Sequence, residues 1–568
     1  MTRDLGARPR ENADAGPFRP VCFRSSLLCA FTVALRPGAL QKMATALERT
    51  RSDSFSTTTA TDLGKEHEKV AGQKRETALH TVTEAEEEDN VGYHEYKEGV
   101  GETLTPEEDR AIRWRIDLIV LPIFVITQTL QFLDKTALNY ANLFGFQQAL
   151  KLEGNQFNWL SGQVYFGFAV AQYPIQILLG RYSAQKIMAI TIFMWGLCVV
   201  TMTQCTNFKT AMINRFVLGL FEASVSPGFT LMTGWWYTRK EVPLRQFIWY
   251  SGLGWGGVIG SYVSTGISTI SPTAPGPQKW QYIFYILGGV TMLWAIVVYV
   301  VLPDSPVSAR WLTPRQRVLA VQRVAGNHLG IKNRRFKREQ VWVALRDVKI
   351  WILFVSVWGA AIPNGVVSNF SAIIIEDMGF SQTKTTVLTA VGNIILIVAL
   401  VLGGLLTLNV PNTRLLAATT ANLICVVAAA TMAYLPRRHV WGRLVSFWLV
   451  ECQSVGFAAG LVMVSSNMGG YTHRSVASAI LFTAYCFGNA AGPFVVKQSQ
   501  APFYQDATAG LLAGYTVKLV CQLSLLVYMY RANRRRDAKY GPPDVDRAKE
   551  AGMQDKTEFE NKDFRYVL

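Results

Sequence analysis

Charge and histidine are what this sequence has little of. Only 17% of its 568 residues are Asp, Glu, Lys or Arg, against about a quarter in ordinary soluble domains, so water is not its main solvent. The six histidines (His67, His80, His94, His328, His439 and His473) all fall in tails or connectors. A proton carried inside a bilayer would therefore ride on carboxylates. The eight cysteines are scattered with no C-x-x-C pair, which argues against a disulfide framework or a zinc site and leaves them as small apolar fillers. There is no H-E-x-x-H, no Walker phosphate loop and no G-x-S-x-G in a strand-turn-helix setting. An enzyme and an ATP-driven pump are both unexpected.

Apolar residues are what the chain has in excess, at 50% of the total with 12% aromatics. From roughly Ile116 to Tyr530, apolar runs long enough to cross a hydrocarbon core of about 30 Å alternate with short polar connectors. Their hydropathy places spans near 116–142, 157–180, 187–206, 210–232, 246–268 and 281–302, then 349–374, 386–408, 415–435, 443–466, 475–497 and 511–530. The expected fold is all-α: a polytopic membrane protein with twelve transmembrane helices in two six-helix bundles. The count excludes a seven-helix receptor. Residues 1–112 read as a disordered cytoplasmic tail, 113–302 as the amino-terminal bundle, 303–348 as a basic central loop, 349–530 as the carboxy-terminal bundle and 531–568 as a second cytoplasmic tail. Within the first tail, Val21 to Leu35 is a weak candidate leader, and a start at Met43 is the plainer alternative.

A net charge of +16 raises the question of nucleic acid, but the basic residues sit between spans rather than in an aromatic-interleaved patch. No nucleic-acid partner is expected. Arg310, Arg315, Arg317, Arg323 and Lys332 to Arg338 concentrate in the central loop, and Arg181, Lys186, Arg239, Lys240, Arg245, Arg474 and Arg531 follow even-numbered spans. The excess of cations puts that side, and both termini, in the cytoplasm. Arg437, Arg438 and Arg443, after the ninth span, break the pattern.

Ionisable residues inside spans carry mechanism, because a charge at the bilayer centre costs about 2.5 to 3.5 kcal/mol on insertion scales. Asp134 and Lys135 sit in the first span with two further helical turns after them, so they are expected to face a water-filled cavity; the blander alternative is the outer end of the helix. Arg215 and Glu222 in the fourth span are seven residues apart, hence on about the same face and roughly 10 Å apart along the axis. Arg215 could instead snorkel to the interface, but Glu222 is too short to reach water. Glu451 lies mid-span in the tenth helix, as a proton site or a buried paired carboxylate. Asn467 near its end could hydrogen-bond substrate or cap the helix, and Lys497 closes the eleventh. Gly252, Gly256 and Gly260, with Gly254 and Gly257, strip side chains from one face of the fifth span and let a neighbouring backbone approach.

Together, Phe132-Leu-Asp134-Lys135-Thr, Gly180-Arg181-Tyr, Arg215-Phe-Val-Leu-Gly219-Leu-Phe-Glu222-Ala, Trp236-Tyr-Thr-Arg239, Pro303-Asp304-Ser305-Pro306 and Asn467-Met-Gly-Gly-Tyr-Thr-His-Arg474 resemble the anion:cation symporter family of the major facilitator superfamily, and more narrowly its fungal allantoate permease branch. The likeness covers Arg113 to Arg536. It implies that Asp134 and Glu222 are proton-binding carboxylates and that Lys135 matches a substrate-contacting cation, usually arginine in bacterial relatives; an ammonium cannot reproduce the arginine fork. Arg181 would belong to the loop motif that latches the amino-terminal bundle. The expectation is proton-coupled uptake of a small organic anion in the class of allantoate, ureidosuccinate, nicotinate, pantothenate or short peptides. Protons and the lipid bilayer are the other partners, with no cofactor beyond the proton gradient, and the protein is expected as a monomer in the plasma membrane. Export of an acidic metabolite, or a nutrient-sensing receptor with little transport, are the alternatives.

Overall fold

The computed structural model describes residues 90–99, 104–270, 276–327, 332–333, 335–436, 438–496, 500 and 504–568. The readings of residues 1–89, including the leader at Val21 to Leu35 and the start at Met43, and that of Lys497, lie outside the described residues.

Among the described residues, twelve long helical runs follow one another. The first six are α1 (Pro106–Leu143), α2 (Gln156–Arg181), α3 (Ala184–Thr201, tightened by a 3-10 turn Met202–Gln204), α4 (Phe208–Glu222 and Val225–Trp236), α5 (Val242–Tyr250 and Gly252–Ser268) and α6 (Lys279–Val301). The second six are α7 (Val348–Glu376), α8 (Gln382–Asn409), α9 (Arg414–Tyr434), α10 (Val440–Leu449, a 3-10 turn Val450–Cys452, and Gln453–Asn467), α11 (Tyr471–Val495) and α12 (Gln505–Tyr540). Ten of them are long and apolar enough to cross a membrane when each is taken alone. The other two are α2 and α5. In α2 the apolar run is diluted by Ser161, Gln172 and Gln176, all buried within the protein, and α5 is interrupted at Ser251.

Hydropathy alone misses the ends of α1. The helix begins ten residues before the predicted span because Thr105 and Glu108 form a reciprocal capping box with Pro106 at the first position, which satisfies the orphan amides at a helix start. The charged residues that follow are used locally. Arg323 of the loop helix Pro314–Ala325 reaches Asp109 and Glu241, each at 2.5 Å, and Arg245 forks onto Asp117 at 2.6 and 3.1 Å. Arg443, which broke the charge pattern, is a buried residue of α10 rather than a loop residue.

Glycine sets the closest helix contacts. A Cβ on Gly256 would meet the Thr129 carbonyl at 2.8 Å, one on Gly252 the Val125 carbonyl at 2.8 Å, and one on Gly260 the Tyr140 ring at 2.7 Å. The expected seam therefore packs α5 on α1. Gly254, on another face of α5, meets Ile397 and Asn393 of α8, so α5 is thinned on two sides and lies between the halves. The halves also meet where Trp159 of α2 stacks edge-on to Phe494 of α11 at 5.1 Å.

Residues beyond 531, read from the sequence as a second cytoplasmic tail, pack against the helices. α12 runs on to Tyr540, a helix Val545–Met553 follows, and Asp555 to Leu568 folds back. Glu558, fully buried, takes hydrogen bonds from Lys349 Nζ at 2.6 Å and Gly469 N at 2.9 Å. Burial alone would push its carboxyl up, but Lys349 and His473 hold it well below the usual carboxylate range. Asn467 donates to the Val567 carbonyl and accepts from its amide, both at 2.8 Å. Arg239, from the α4–α5 connector of the first half, donates to the Arg565 carbonyl at 3.2 Å and lies 4.7 Å from the Phe564 ring. The last residues thus touch both halves. His473 is likewise not a connector residue: it is buried in the first turn of α11, with Glu558 and Asp347 within 3.5 Å of its ring nitrogens. Asp347, His473 and Glu558 have the donor atoms of a metal site, but the Lys349 ammonium already stands 2.6 Å from Glu558 and 3.2 Å from Asp347. At the other end of the described chain, residues 90–99 of the expected disordered tail form a helix, Tyr93–Glu98, whose Tyr96 carbonyl accepts from Gln322 at 2.6 Å.

Candidate functional site

A break in α4 organises the site. Its two segments are separated by Ala223 and Ser224, so the helix loses ladder partners beside Glu222. Two glutamines supply replacements: Gln131 of α1 reaches the Glu222 carbonyl at 3.5 Å and Gln172 of α2 the Ala223 carbonyl at 3.4 Å. Gln131 and Gln128 in turn accept from Ser226 at 2.9 and 3.2 Å. Polar side chains at this depth are retained because they satisfy backbone that would otherwise lie bare in an apolar medium. A close approach fixes α2 against α4 just here, since a Cβ on Gly219 would meet the Phe168 amide at 2.9 Å.

The structure brings Asp134, Lys135, Arg215 and Glu222 into one cluster. Lys135 Nζ stands 3.0 Å from Glu222 Oε1, with the two side chains 14% and 1% exposed. Asp134, its neighbour in sequence, is not the partner of Lys135. Consecutive helical residues project about 100° apart, and the two diverge: Asp134 turns toward Trp195 of α3 and Thr291 of α6, with Arg215 and Glu222 in electrostatic range. Both oxygens of the Asp134 carboxylate, and the Nε and Nη2 of Arg215, are buried without a hydrogen bond of normal geometry among the described residues. Arg215 is 3% exposed, so it does not snorkel to the interface.

Lys135 also faces three rings. Its ammonium lies 5.4 Å from the centroid of Phe168, 5.7 Å from Tyr485 and 6.0 Å from Tyr165, within the range of cation–π attraction. Tyr485 belongs to α11, so the cation of the first half looks onto an aromatic face of the second. Near it, Gln453 donates to Asn364 at 2.9 Å, Asn364 to Asn489 at 2.8 Å, and Asn489 to the Tyr485 carbonyl at 2.8 Å. This ladder links α7, α10 and α11.

Other predicted residues fall elsewhere. Glu451 is outside the charge cluster and lines a cavity of about 50 Å³ between the halves, with Thr136, Asn139 and Tyr140 of α1, Ser261 of α5, and Asn364 and Asn393 facing it. Asn467 is engaged by Val567 and by Arg239, the latter at 3.3 Å, so its amide serves the folded-back terminus. Arg181 is exposed in a groove beside Tyr471 and Phe336. Gly252, Gly256 and Gly260 are packing residues, as above.

Lys518 went unnoticed in the sequence. It is 2% exposed in α12 and donates to the Gln453 carbonyl at 2.7 Å, which attaches it to the foot of the polar ladder. It is the sole charged residue of the run 511–530, so the rule that singled out Asp134 and Glu222 would have found it too.

Comparison with known proteins supplies the family. The profile described as Major Facilitator Superfamily matches residues 124–493. An uncharacterized transporter of Schizosaccharomyces pombe is 33% identical over 82% of this chain and 87% of its own. The allantoate permease of Saccharomyces cerevisiae is 30% identical over 82% and 88%, and a thiamine pathway transporter of the same yeast 27% identical over 87% and 92%. Among solved structures, a proton:xylose symporter of the major facilitator superfamily superposes with a TM-score of 0.56 at 14% identity, covering 74% of this chain and 95% of that one; this likeness concerns the fold alone. A multi-pass chain folded in this way, whose relatives above are named transporters and permeases, is a transporter: the protein belongs to the Major Facilitator Superfamily, in its allantoate permease-like branch.

Proposed function

We propose that this transporter moves a small organic anion together with a proton, inward across the plasma membrane, with both termini in the cytoplasm. The observation that carries the reading is the Lys135–Glu222 pair, 3.0 Å apart and facing Tyr485 of the opposite half. In the empty carrier the pair is neutral. A proton on Glu222 removes its charge and frees the ammonium, which then takes the carboxylate of the substrate, so the loaded site is neutral again. Loading only one of the two leaves an unbalanced charge in a low-dielectric interior, which is costly and holds the half-loaded carrier still. Asp134 beside Arg215 is a second carboxylate–cation set that can share the proton.

The substrate class follows from one ammonium ringed by aromatic faces and amides. That setting suits a single carboxylate on a small body with hydrogen-bonding groups, as in allantoate, ureidosuccinate, nicotinate, pantothenate or a short peptide. The relative named as an allantoate permease makes allantoate the first compound to assay. An uptake panel of these carboxylates in cells with and without the gene identifies the substrate. Glu222→Gln is then expected to lose pH-driven accumulation while retaining exchange of substrate across the membrane. A Glu222→Gln carrier that still concentrates substrate from an acidic exterior overturns the assignment.

A further inference from the structure

The far end of α12, which the proposed orientation puts in the cytoplasm, carries a second feature outside the charge cluster. Leu523, Val527, Arg531, Arg535 and Lys539 recur every four residues, so they form one slowly turning stripe about 24 Å long that changes from apolar to cationic along its length. Opposite the stripe stand Ile352 of α7 and Phe559, Lys562 and Tyr566 of the folded-back terminus, and the space between measures about 780 Å³. No carboxylate lines it among the described residues. The nearby acid Asp537 is already paired with Arg565 at 2.7 Å, and Arg536 is spent on the carbonyls of Glu558, Asn561 and Phe564. Arg531, Arg535 and Lys562, by contrast, are exposed, and no ion pair joins them to any carboxylate among the described residues.

We propose that this cleft binds one anionic phospholipid of the surrounding leaflet, with its phosphate between Arg531, Arg535 and Lys562 and its acyl chains along Ile352, Leu523 and Val527. Three unpaired cations side by side repel one another, and a phosphate relieves that repulsion while accepting several hydrogen bonds. The apolar half of the stripe favours a lipid over a free anion. Leu523 and Val527 are 44% and 46% exposed and continue directly from the charged residues, so a molecule with a phosphate head and hydrocarbon tails matches the cleft over its whole length. The folded-back segment Asp555 to Leu568 forms the far wall, so the site depends on that segment.

The experiment uses the purified full-length protein in a neutral detergent. Native mass spectrometry reads retention of phosphatidylserine against an equimolar amount of phosphatidylcholine, and thermal shift is read with phosphatidylserine, phosphatidylcholine or inorganic phosphate added separately. The expected result is preferential retention of phosphatidylserine and a stabilisation that inorganic phosphate does not reproduce. The triple change R531Q/R535Q/K562Q should weaken that preference by on the order of tenfold or more, whereas K186Q/R338Q/R346Q, which removes three exposed cations elsewhere, should leave it intact. Equal retention of the two lipids by the unaltered protein overturns the proposal. So does full stabilisation by inorganic phosphate alone, or an equal loss in the two triple variants. If R531Q/R535Q/K562Q fails to purify as a monodisperse species, R535Q alone is compared with R346Q alone on the same readout.

Discussion

Lys135 and Glu222 illustrate how a buried pair differs from two buried charges. Removing one partner strands the other, which costs about 3–5 kcal/mol in comparable sites, whereas neutralising both is far milder. Lys135→Ala and Glu222→Gln should therefore each destabilise the detergent-purified protein, and Lys135→Met combined with Glu222→Gln should recover much of the loss; thermal unfolding of the three variants checks this. A Lys135→Ala variant as stable as the unaltered protein would mean that the pair is not buried as described. The four charges were legible because ionisable residues within long apolar runs are costly in lipid and so stand out. Their partners were not, since hydropathy places a residue at a depth but not on a side. Asp134 and Lys135 are adjacent in sequence and face different helices. The aromatic cage was out of reach for the same reason: Tyr485 lies 350 positions from Lys135 along the chain, and only the meeting of α1 with α11 unites them.

Helices come together through their smallest residues, and each glycine makes a separate claim. Gly256→Val puts a branched side chain where the Thr129 backbone carbonyl would be 2.8 Å from its Cβ. Overpacking of this kind typically costs about 1–3 kcal/mol. Gly289→Ala in α6, where a Cβ meets nothing within 4 Å, should be neutral or slightly stabilising. Melting temperatures of the two variants test the α1–α5 seam, and equal values would contradict it. The glycine spacing was visible in the sequence, and so were the apolar centres of nearly all the helices. The charged extension of α1 and the folded-back terminus were not visible, because both are held by caps, ion pairs and backbone hydrogen bonds rather than by apolar periodicity. Asp555 to Leu568 reads as polar tail, yet Glu558, Phe564 and Tyr566 are buried.

That terminus also predicts a pH dependence. The Glu558 carboxyl is held below its ordinary value in the folded protein, so its contribution to stability is complete above the unfolded pKa of about 4.3 and is lost as the pH falls further toward the folded one. The stability difference between the unaltered protein and Glu558→Gln should be constant from pH 6 to 8 and shrink below about pH 4. A difference that grows on acidification would show that Lys349 and His473 do not hold an ionised Glu558.

At the scale of the molecule, the charged centre belongs to the first group of helices and faces an aromatic surface of the second, while glycine-thinned contacts and the carboxy-terminal segment join the two elsewhere. Such an arrangement can couple two cargoes only if each changes the charge balance that the other meets. The central claim, that Glu222 hands Lys135 to the substrate when it takes a proton, is tested most directly by proton entry itself. Purified protein is reconstituted into liposomes that enclose a pH-sensitive dye, and the carboxylate chosen by the uptake panel is added outside. The account predicts acidification of the interior in step with substrate entry for the unaltered protein and none for Glu222→Gln, although that variant still exchanges labelled substrate. Equal acidification by both proteins would contradict it.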